Sequence, residues 1–291
     1  MSAQGKLPYL LTLIALYPVT IGWAGNESNF TYLALGDSVA FGLNPTLLTQ
    51  PPPPPTVFTG YPETLASWLH LANSKKEVNA ACPGETSGSF IDAGVPDYGC
   101  HSPGPQGQPP FKTWVGLHTN YTGTQLEFAV SALSSDKHIN LVTLGIGSND
   151  VLLLLSQCST SSDPTTCVNT QLPTVLQTYA VNLTRILTAI RSAPYQGTLM
   201  LVGYYAPSAD LIPVAQALNA TMVTVGAQFK TLYADGFTAF QLAATPSGGD
   251  VCKAGLLIHL TSTTCDIHPS PTGRDVLAAT VLATLAGIKL P

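Results

Sequence analysis

A serine that attacks a carbonyl needs a base to take its proton and N–H donors for the charge that develops on oxygen. Ser38 stands where such chemistry is placed in open α/β sheets: the apolar run Tyr32-Leu33-Ala34-Leu35 reads as a buried strand and stops at Gly36-Asp37-Ser38, before Val39-Ala40-Phe41-Gly42. A glycine lets the chain turn sharply there and leaves room for a substrate. The same residue types also cap helices and make turns, so on this stretch alone the cap or turn reading is preferred to the nucleophile. A second buried strand, Ile139–Leu144, runs into Gly145-Ile146-Gly147-Ser148-Asn149-Asp150. In a parallel sheet this puts Asn149 on the same edge as Ser38, where its amide is a neutral N–H donor. Ala81-Cys82-Pro83-Gly84-Glu85 follows a third strand and signals a tight turn with an exposed N–H at Gly84. Near the C-terminus, Asp266-Ile267-His268-Pro269 supplies an imidazole just before a helix. The chemistry these residues suit is acyl transfer: Ser38 as nucleophile, His268 as base, and Ser38 N–H, Gly84 N–H and the Asn149 amide as oxyanion donors.

The elements that must position them alternate. Helical spacing is read at Tyr61–Leu71, Gln125–Leu133, Pro173–Arg191, Leu211–Ala234 and about Thr272–Gly287. Strands are read at Glu77–Ala81, Ile139–Leu144, Thr198–Tyr204 and Phe237–Leu242. Val151–Leu155 begins a helix, and Gly248–Cys265 reads as loop. Leu43–Phe58 holds five consecutive prolines, Pro51 to Pro55, and reads as a stiff extended loop. Gly88–Thr124 is a long Gly-, Pro- and His-bearing loop. The proline loop, the Gly88–Thr124 loop and the segment Pro207–Pro213 are the expected walls of a substrate cleft. Strand–helix alternation with long crossovers indicates one parallel-sheet α/β domain.

With its blocks in view, the chain resembles the GDSL/SGNH family of serine hydrolases. Gly36-Asp37-Ser38 matches the first block, Gly84 the second, Gly147-Ser148-Asn149-Asp150 the third and Asp266-Ile267-His268-Pro269 the last, in the family's order. The resemblance implies a flavodoxin-like three-layer α/β/α sandwich over 25–291 and hydrolysis of esters through an acyl-serine, without a cofactor. Members act as lipases, esterases, thioesterases or carbohydrate esterases. One departure stands out. The family commonly has aspartate three residues before the histidine, where this chain has Cys265, and Asp266 sits two before. Either Asp266 orients the His268 imidazole as in a triad, or a backbone carbonyl near Cys265 does so and Asp266 is supporting; the second reading is slightly preferred.

The other polar residues have plainer readings. Asp37 is a turn residue beneath the nucleophile, Asp150 caps a helix, and Glu85 is a surface or helix-start residue. His70, His101, His118, His138 and His259 read as surface or loop histidines, and Trp68 and Trp114 as packing.

Composition excludes some classes. The chain has 291 residues, 45% hydrophobic and only 9% charged, with a formal charge of −5. Without a basic stripe, nucleic acid is not an expected partner. Lys6 precedes an apolar run, Leu7–Ile21, and Gly22-Trp23-Ala24 offers a cleavage site, so 1–24 reads as a secretory signal peptide rather than an anchor. Pro8 and Pro18 interrupt that run, and no later stretch is expected to span a membrane. Six cysteines fall as local pairs, Cys82 with Cys100, Cys158 with Cys167 and Cys252 with Cys265, and read as disulfides in an oxidising compartment. No C-x-x-C occurs and the histidines are scattered, so no metal site is expected. Sequons at Asn26, Asn29, Asn120, Asn182 and Asn219 would matter only in a glycosylating host. The expected protein is therefore a secreted (extracellular or periplasmic) ester hydrolase acting on a small-molecule, lipid or acylated carbohydrate substrate. A carbohydrate deacetylase or acyltransferase, and a non-catalytic secreted binding protein on the same fold, are the competing readings.

Overall fold

The computed structural model describes residues 30–71, 76–104 and 107–287. The expected export segment lies outside them. Five strands form one parallel sheet: β1 (Thr31–Gly36), β2 (Glu77–Asn79), β3 (Ile139–Gly145), β4 (Thr198–Val202) and β5 (Leu232–Ala234), in the order β2-β1-β3-β4-β5. This is the flavodoxin-like order, whose direction of winding reverses between β1 and β3.

Alternation along the strands explains the layers. Tyr32 and Ala34 of β1, with Met200 and Val202 of β4, enter one buried cluster; Leu33 and Leu35, with Leu199 and Leu201, enter the other. Strands buried on both faces read as near-continuous apolar runs, interrupted in β3 by Asn140 and by Thr143, whose hydroxyl pairs with Tyr32 OH at 2.7 Å. The first face is covered by α2 (Tyr61–Trp68), α8 (Gly236–Ala244) and α9 (Pro271–Ala286) through Leu65, Phe240 and Leu277. The second is covered by α4 (Gln125–Ser135), α5 (Ser148–Cys158), α6 (Pro164–Ser192) and α7 (Ile212–Ala227). The result is a three-layer α/β/α sandwich. Tyr179, Leu183, Ile186, Leu187 and Ile190 give α6 one apolar stripe, all with 0% exposure. Truncating one of them, Ile186→Ala, costs about 2–5 kcal/mol.

The expected elements differ from the observed ones at several places, the first being the Gly88–Thr124 stretch, which is not all loop but carries the short helix α3 (Phe111–Trp114). Leu211–Ala234 is not one helix: α7 ends at Ala227, and Leu232–Ala234 pairs with Met200–Val202 as the edge strand. Three residues are too short for a strand period to show against the helical run before them. Phe237–Leu242 is not a strand but lies in α8, whose start is fixed by the Asp235 side chain accepting from Thr238 N at 3.0 Å. The Gly248–Cys265 stretch is not all loop, because β6 (Leu257–His259) pairs antiparallel with β7 (Cys265–Pro269). Helix α6 begins at Pro164, well before Pro173, because Asp163 caps it and Pro164 sits where no N–H is needed. In α2, Leu65 is buried as the spacing requires, whereas Trp68 is 40% exposed and is not core packing.

All three disulfides join the expected neighbours. Cys158–Cys167 ties the end of α5 to the first turn of α6, and Cys252–Cys265 ties β7 to the turn before β6. Among the described residues, no helix is long and apolar enough to cross a membrane. The Asn219 sequon is buried, and its amide bonds Tyr204 N and O, so this asparagine serves the fold.

Candidate active site

Ser38 is the first residue of α1 (Ser38–Phe41), directly beyond β1. Gly36 is obligatory here. Its φ is +142°, and a Cβ would lie 2.3 Å from Gly145 O, so only glycine lets the ends of β1 and β3 come this close. Asp37 caps α1 through Val39 N at 3.0 Å, and its carboxylate also accepts from Ser148 Oγ at 2.7 Å and Tyr204 OH at 2.6 Å. Burial pushes the Asp37 carboxyl up, against the opposing hydrogen bonds from Tyr204, Ser148 and Val39. Asp37 is thus a strut from the serine turn to the residue before Asn149, in keeping with its expected turn role. At the other end of α1, Asn79 Nδ2 donates to Ala40 O at 2.9 Å and His118 Nε2 to Phe41 O at 3.0 Å.

His268 sits on β7, whose partner strand and disulfide hold it over the sheet edge. Its Nε2 lies 2.8 Å from Ser38 Oγ. Asp266 Oδ1 faces His268 Nδ1 and also accepts the His268 backbone N–H at 2.9 Å. The Asp266 carboxylate, rather than a backbone carbonyl, is the group that faces the His268 ring nitrogen. Burial raises the Asp266 pKa, but the hydrogen bond and charge of His268, with the backbone N–H groups of His268 and Ile267, outweigh it and hold the carboxyl below its ordinary value. Tyr205 braces the strand: its OH donates to Ile267 O at 2.6 Å, and its ring stacks on Phe240 at 4.2 Å.

Gly84 lies in the turn after β2 with φ +85°, and a Cβ there would lie 2.6 Å from Gly99 N, so this position too requires glycine. Neither Gly84 N–H nor Ser38 N–H finds an acceptor among the described residues. Asn149, 2% exposed in the first turn of α5, donates one Nδ2 hydrogen to Glu85 O at 2.9 Å and keeps the other. The structure therefore gathers Ser38, Gly84 and Asn149 at the carboxyl ends of the adjacent strands β1, β2 and β3, with His268 and Asp266 reaching in from β7.

Several residues play parts other than those expected. Glu85 is neither at the surface nor at a helix start. It is fully buried between His101 Nε2, 3.3 Å away, and the Gln125 amide, and burial pushes its carboxyl up to about 7. His101 is accordingly not a free loop histidine. Nor is His118, whose ring packs 4.5 Å from that of Phe41. His70, His138 and His259 are exposed, as expected. Trp114 is half-buried against Phe111 at 6.4 Å, a packing role. Asp150 lies in the first turn of α5, but its carboxylate reaches across to Ser87 N at 2.8 Å and Ser87 Oγ at 2.5 Å. Burial pushes the Asp150 carboxyl up to about 6 despite those bonds. Gln125, on which sequence reasoning set no value, links the first two blocks. A buried amide at a helix start leaves no periodic trace, so no pattern could have flagged it. The three groupings of metal-ligating residue types among the described residues each include a disulfide cysteine, whose sulfur is no thiolate ligand.

Beside Ser38 and His268 opens an apolar cavity of about 80 Å³. Val151, Leu152 and Leu155 of α5 form one wall; Pro207, Leu211 and Leu218 form another. Of the three expected walls, only the Pro207–Pro213 segment lines it. The proline stretch leads away to the opposite layer, where Phe58 packs on Phe41 at 5.3 Å, and Phe111 of the long loop joins the same cluster.

A serine–imidazole–carboxylate chain beside an apolar cavity, on a flavodoxin-like sheet, is the arrangement that serine-dependent ester cleavage calls for. The model of the GDSL-like lipase/acylhydrolase family matches residues 34–276, and the chain belongs to that family of ester hydrolases. Similar solved structures include phospholipase A1 from Streptomyces albidoflavus NA297, at 19% identity and a TM-score of 0.55, covering 89% of this chain and 99% of that one. The extracellular lipase from Streptomyces rimosus matches at 16% identity and a TM-score of 0.53, covering 88% and 99%. A lipolytic G-D-S-L family member from Veillonella parvula DSM 2008 matches at 12% identity and a TM-score of 0.50, covering 89% and 100%. At these identities the likeness establishes the fold. No curated protein matches the sequence.

Proposed function

We propose that this protein is a secreted serine hydrolase that cleaves carboxylic esters of short to medium acyl chains through an acyl-Ser38 intermediate. The observation that carries the reading is the 2.8 Å contact between Ser38 Oγ and His268 Nε2, with Asp266 on the far side of the ring. His268 Nε2 takes the Ser38 proton as Oγ bonds to the ester carbon. The carbonyl oxygen becomes an oxyanion, to which Ser38 N–H, Gly84 N–H and the remaining Asn149 N–H donate. Collapse breaks the bond to the alcohol oxygen, which leaves with the proton from His268. Water, deprotonated by His268, then attacks the acyl-serine, and Ser38 regains its proton as the acid departs. Asp266 keeps the Nδ1–H tautomer and offsets the imidazolium charge.

The cavity bears on the substrate. Its walls are aliphatic, and a methylene buried there gains about 0.8 kcal/mol, which favours an acyl chain over acetate. Its size, about 80 Å³, is around half that of a cavity which holds benzene, ~150 Å³, and suits a few carbons rather than a long chain. Residues 1–24 are proposed to direct export and to be removed, leaving 25–291 as one hydrolase domain. The three disulfides support an oxidising destination, extracellular or periplasmic.

The test is hydrolysis of p-nitrophenyl esters from acetate to palmitate by the mature protein and by Ser38→Ala. Loss of activity in the variant, with a maximum between butyrate and octanoate in the parent, is the expected result. Activity that survives Ser38→Ala refutes the serine mechanism, and failure of a fluorophosphonate to label Ser38 in an inactive parent favours a binding protein.

A further inference from the structure

The residues behind the oxyanion donors form a buried polar assembly that hydrolysis does not use directly. Gln125 is the first residue of α4 and is fully buried. The start of α4 does not require its side chain, because Thr124 and Glu127 cap the helix reciprocally: Glu127 N donates to Thr124 Oγ1 at 3.1 Å and Thr124 N to Glu127 Oε2 at 2.9 Å. The Gln125 amide is instead spent on the active-site loops. Its Oε1 accepts from Gly36 N at 2.6 Å, and its Nε2 donates to Gly36 O at 2.9 Å and to the Glu85 carboxylate. Gly36 precedes Asp37 and Ser38, so Gln125 pairs with the end of β1 as a further strand would, at the point where the backbone leaves the sheet.

Glu85 completes the link. Its carboxylate bonds Gln125 and His101, and its carbonyl accepts the Asn149 amide at 2.9 Å. Through its own backbone it is also joined to Gly84, and its N–H bonds Cys82 O at 3.2 Å. A fully buried carboxylate with no lysine or arginine in contact among the described residues is costly, and an apolar residue would fill the space at less expense in desolvation. What the carboxylate achieves is geometric. Two fixed hydrogen bonds set where Glu85 lies relative to Gly36, and its carbonyl, in the 85–86 peptide, in turn orients Asn149.

We propose that Gln125 and Glu85 are positioning residues for ester cleavage: Gln125 locks the turn bearing Ser38 to the turn bearing Gly84, and Glu85 aims Asn149 at the oxyanion. The inference rests on the Ser38 reading above. Because the brace acts on donors that matter most when charge develops on oxygen, its loss lowers kcat and leaves KM in place.

The experiment measures kcat, KM and melting temperature on p-nitrophenyl butyrate for Gln125→Ala, Glu85→Ala and Glu85→Gln. Asp163→Ala, which removes the exposed cap of α6, serves as a control for destabilisation alone. Gln125→Ala and Glu85→Ala are expected to lose kcat by about 10²-fold, the low end for one lost oxyanion donor, with KM within about 2-fold. Glu85→Gln still offers an oxygen to Gln125 Nε2 and an N–H to His101, and is expected to restore kcat to within about 5-fold of the parent. Should Gln125→Ala fail to fold, Gln125→Glu carries the test, since it keeps the acceptor for Gly36 N–H and removes the donors to Gly36 O and Glu85. Losses of kcat no larger than the Asp163→Ala control overturn the proposal, as does Glu85→Gln as inactive as Glu85→Ala. Ser38→Ala is measured alongside: hydrolysis that persists there refutes the nucleophile itself, a failure distinct from that of the brace.

Discussion

One oxygen of Asp266 serves both N–H groups of His268: Oδ1 accepts the backbone N–H at 2.9 Å and faces ring Nδ1. Asparagine could present its own Oδ1 to the same two donors, so Asp266→Asn keeps the tautomer and loses only the charge opposite the imidazolium. Asp266→Ala loses both. The expected order of kcat is parent, then Asp266→Asn down by about 10- to 100-fold, then Asp266→Ala, then His268→Ala, which lacks the base altogether. Steady-state kinetics on p-nitrophenyl butyrate checks it, and equal losses from Asp266→Asn and His268→Ala would contradict it.

The cavity gives a second expectation. Ala215 lines its wall and is 8% exposed, so a larger side chain there intrudes on the space for the acyl tail. Ala215→Leu should leave butyrate hydrolysis close to the parent and lower kcat/KM for octanoate by about 10-fold, the worth of one to two buried methylenes. A parallel loss on both esters would mean that the acyl chain lies elsewhere.

Cys252–Cys265 and Cys158–Cys167 differ in what they hold. Cys265 adjoins Asp266 on the strand that carries His268, whereas Cys158 and Cys167 join two helix ends. Removing either pair by double alanine substitution should cost stability on the order of 3 kcal/mol, from the loop entropy released. Only the Cys252→Ala/Cys265→Ala protein should also lose kcat in the folded state at low temperature. Denaturant melts read beside initial rates separate the two effects.

The strands carrying the chemistry were legible in the sequence because burial on both faces leaves β1 and β3 mostly apolar up to Gly36 and Gly145. The polar blocks after them were therefore visible, and so were the sequence-local cysteine pairs. What escaped was whatever depends on a partner distant in sequence. Strand β5 is three residues defined only by pairing with β4, and α8 shows itself through a cap rather than a period. Glu85 and Gln125 are buried by tertiary contacts 40 residues apart, and nothing local distinguishes them from surface residues. The cavity walls were expected from loops that follow the blocks in sequence. In the fold they come mainly from α5, α7 and the segment before α7, on the layer where the chain beyond β3 and β4 packs.

Glu85 also makes stability depend on pH in a defined sense. Burial pushes its carboxyl up to about 7 from an ordinary 4.5, so between those values the folded protein holds a proton that the unfolded chain releases. Stability therefore falls as pH rises through that window; below it both states are protonated, and above it both are ionised. Glu85→Gln cannot titrate and keeps the bonds to Gln125 and His101. Asp150, pushed up to about 6, is common to both proteins and drops out of the difference. The Asp266 carboxyl, held below its ordinary value of 3.8, titrates beneath the window. His101, Lys112 and Tyr121 are the other ionisable groups around Glu85, and both proteins contain them. The melting temperature of Glu85→Gln minus that of the parent should thus rise from pH 4.5 to pH 7 and level off above it. A difference that stays flat across the window would show that Glu85 ionises as freely as a surface carboxylate, and its desolvated place beside Gln125 would have to be given up.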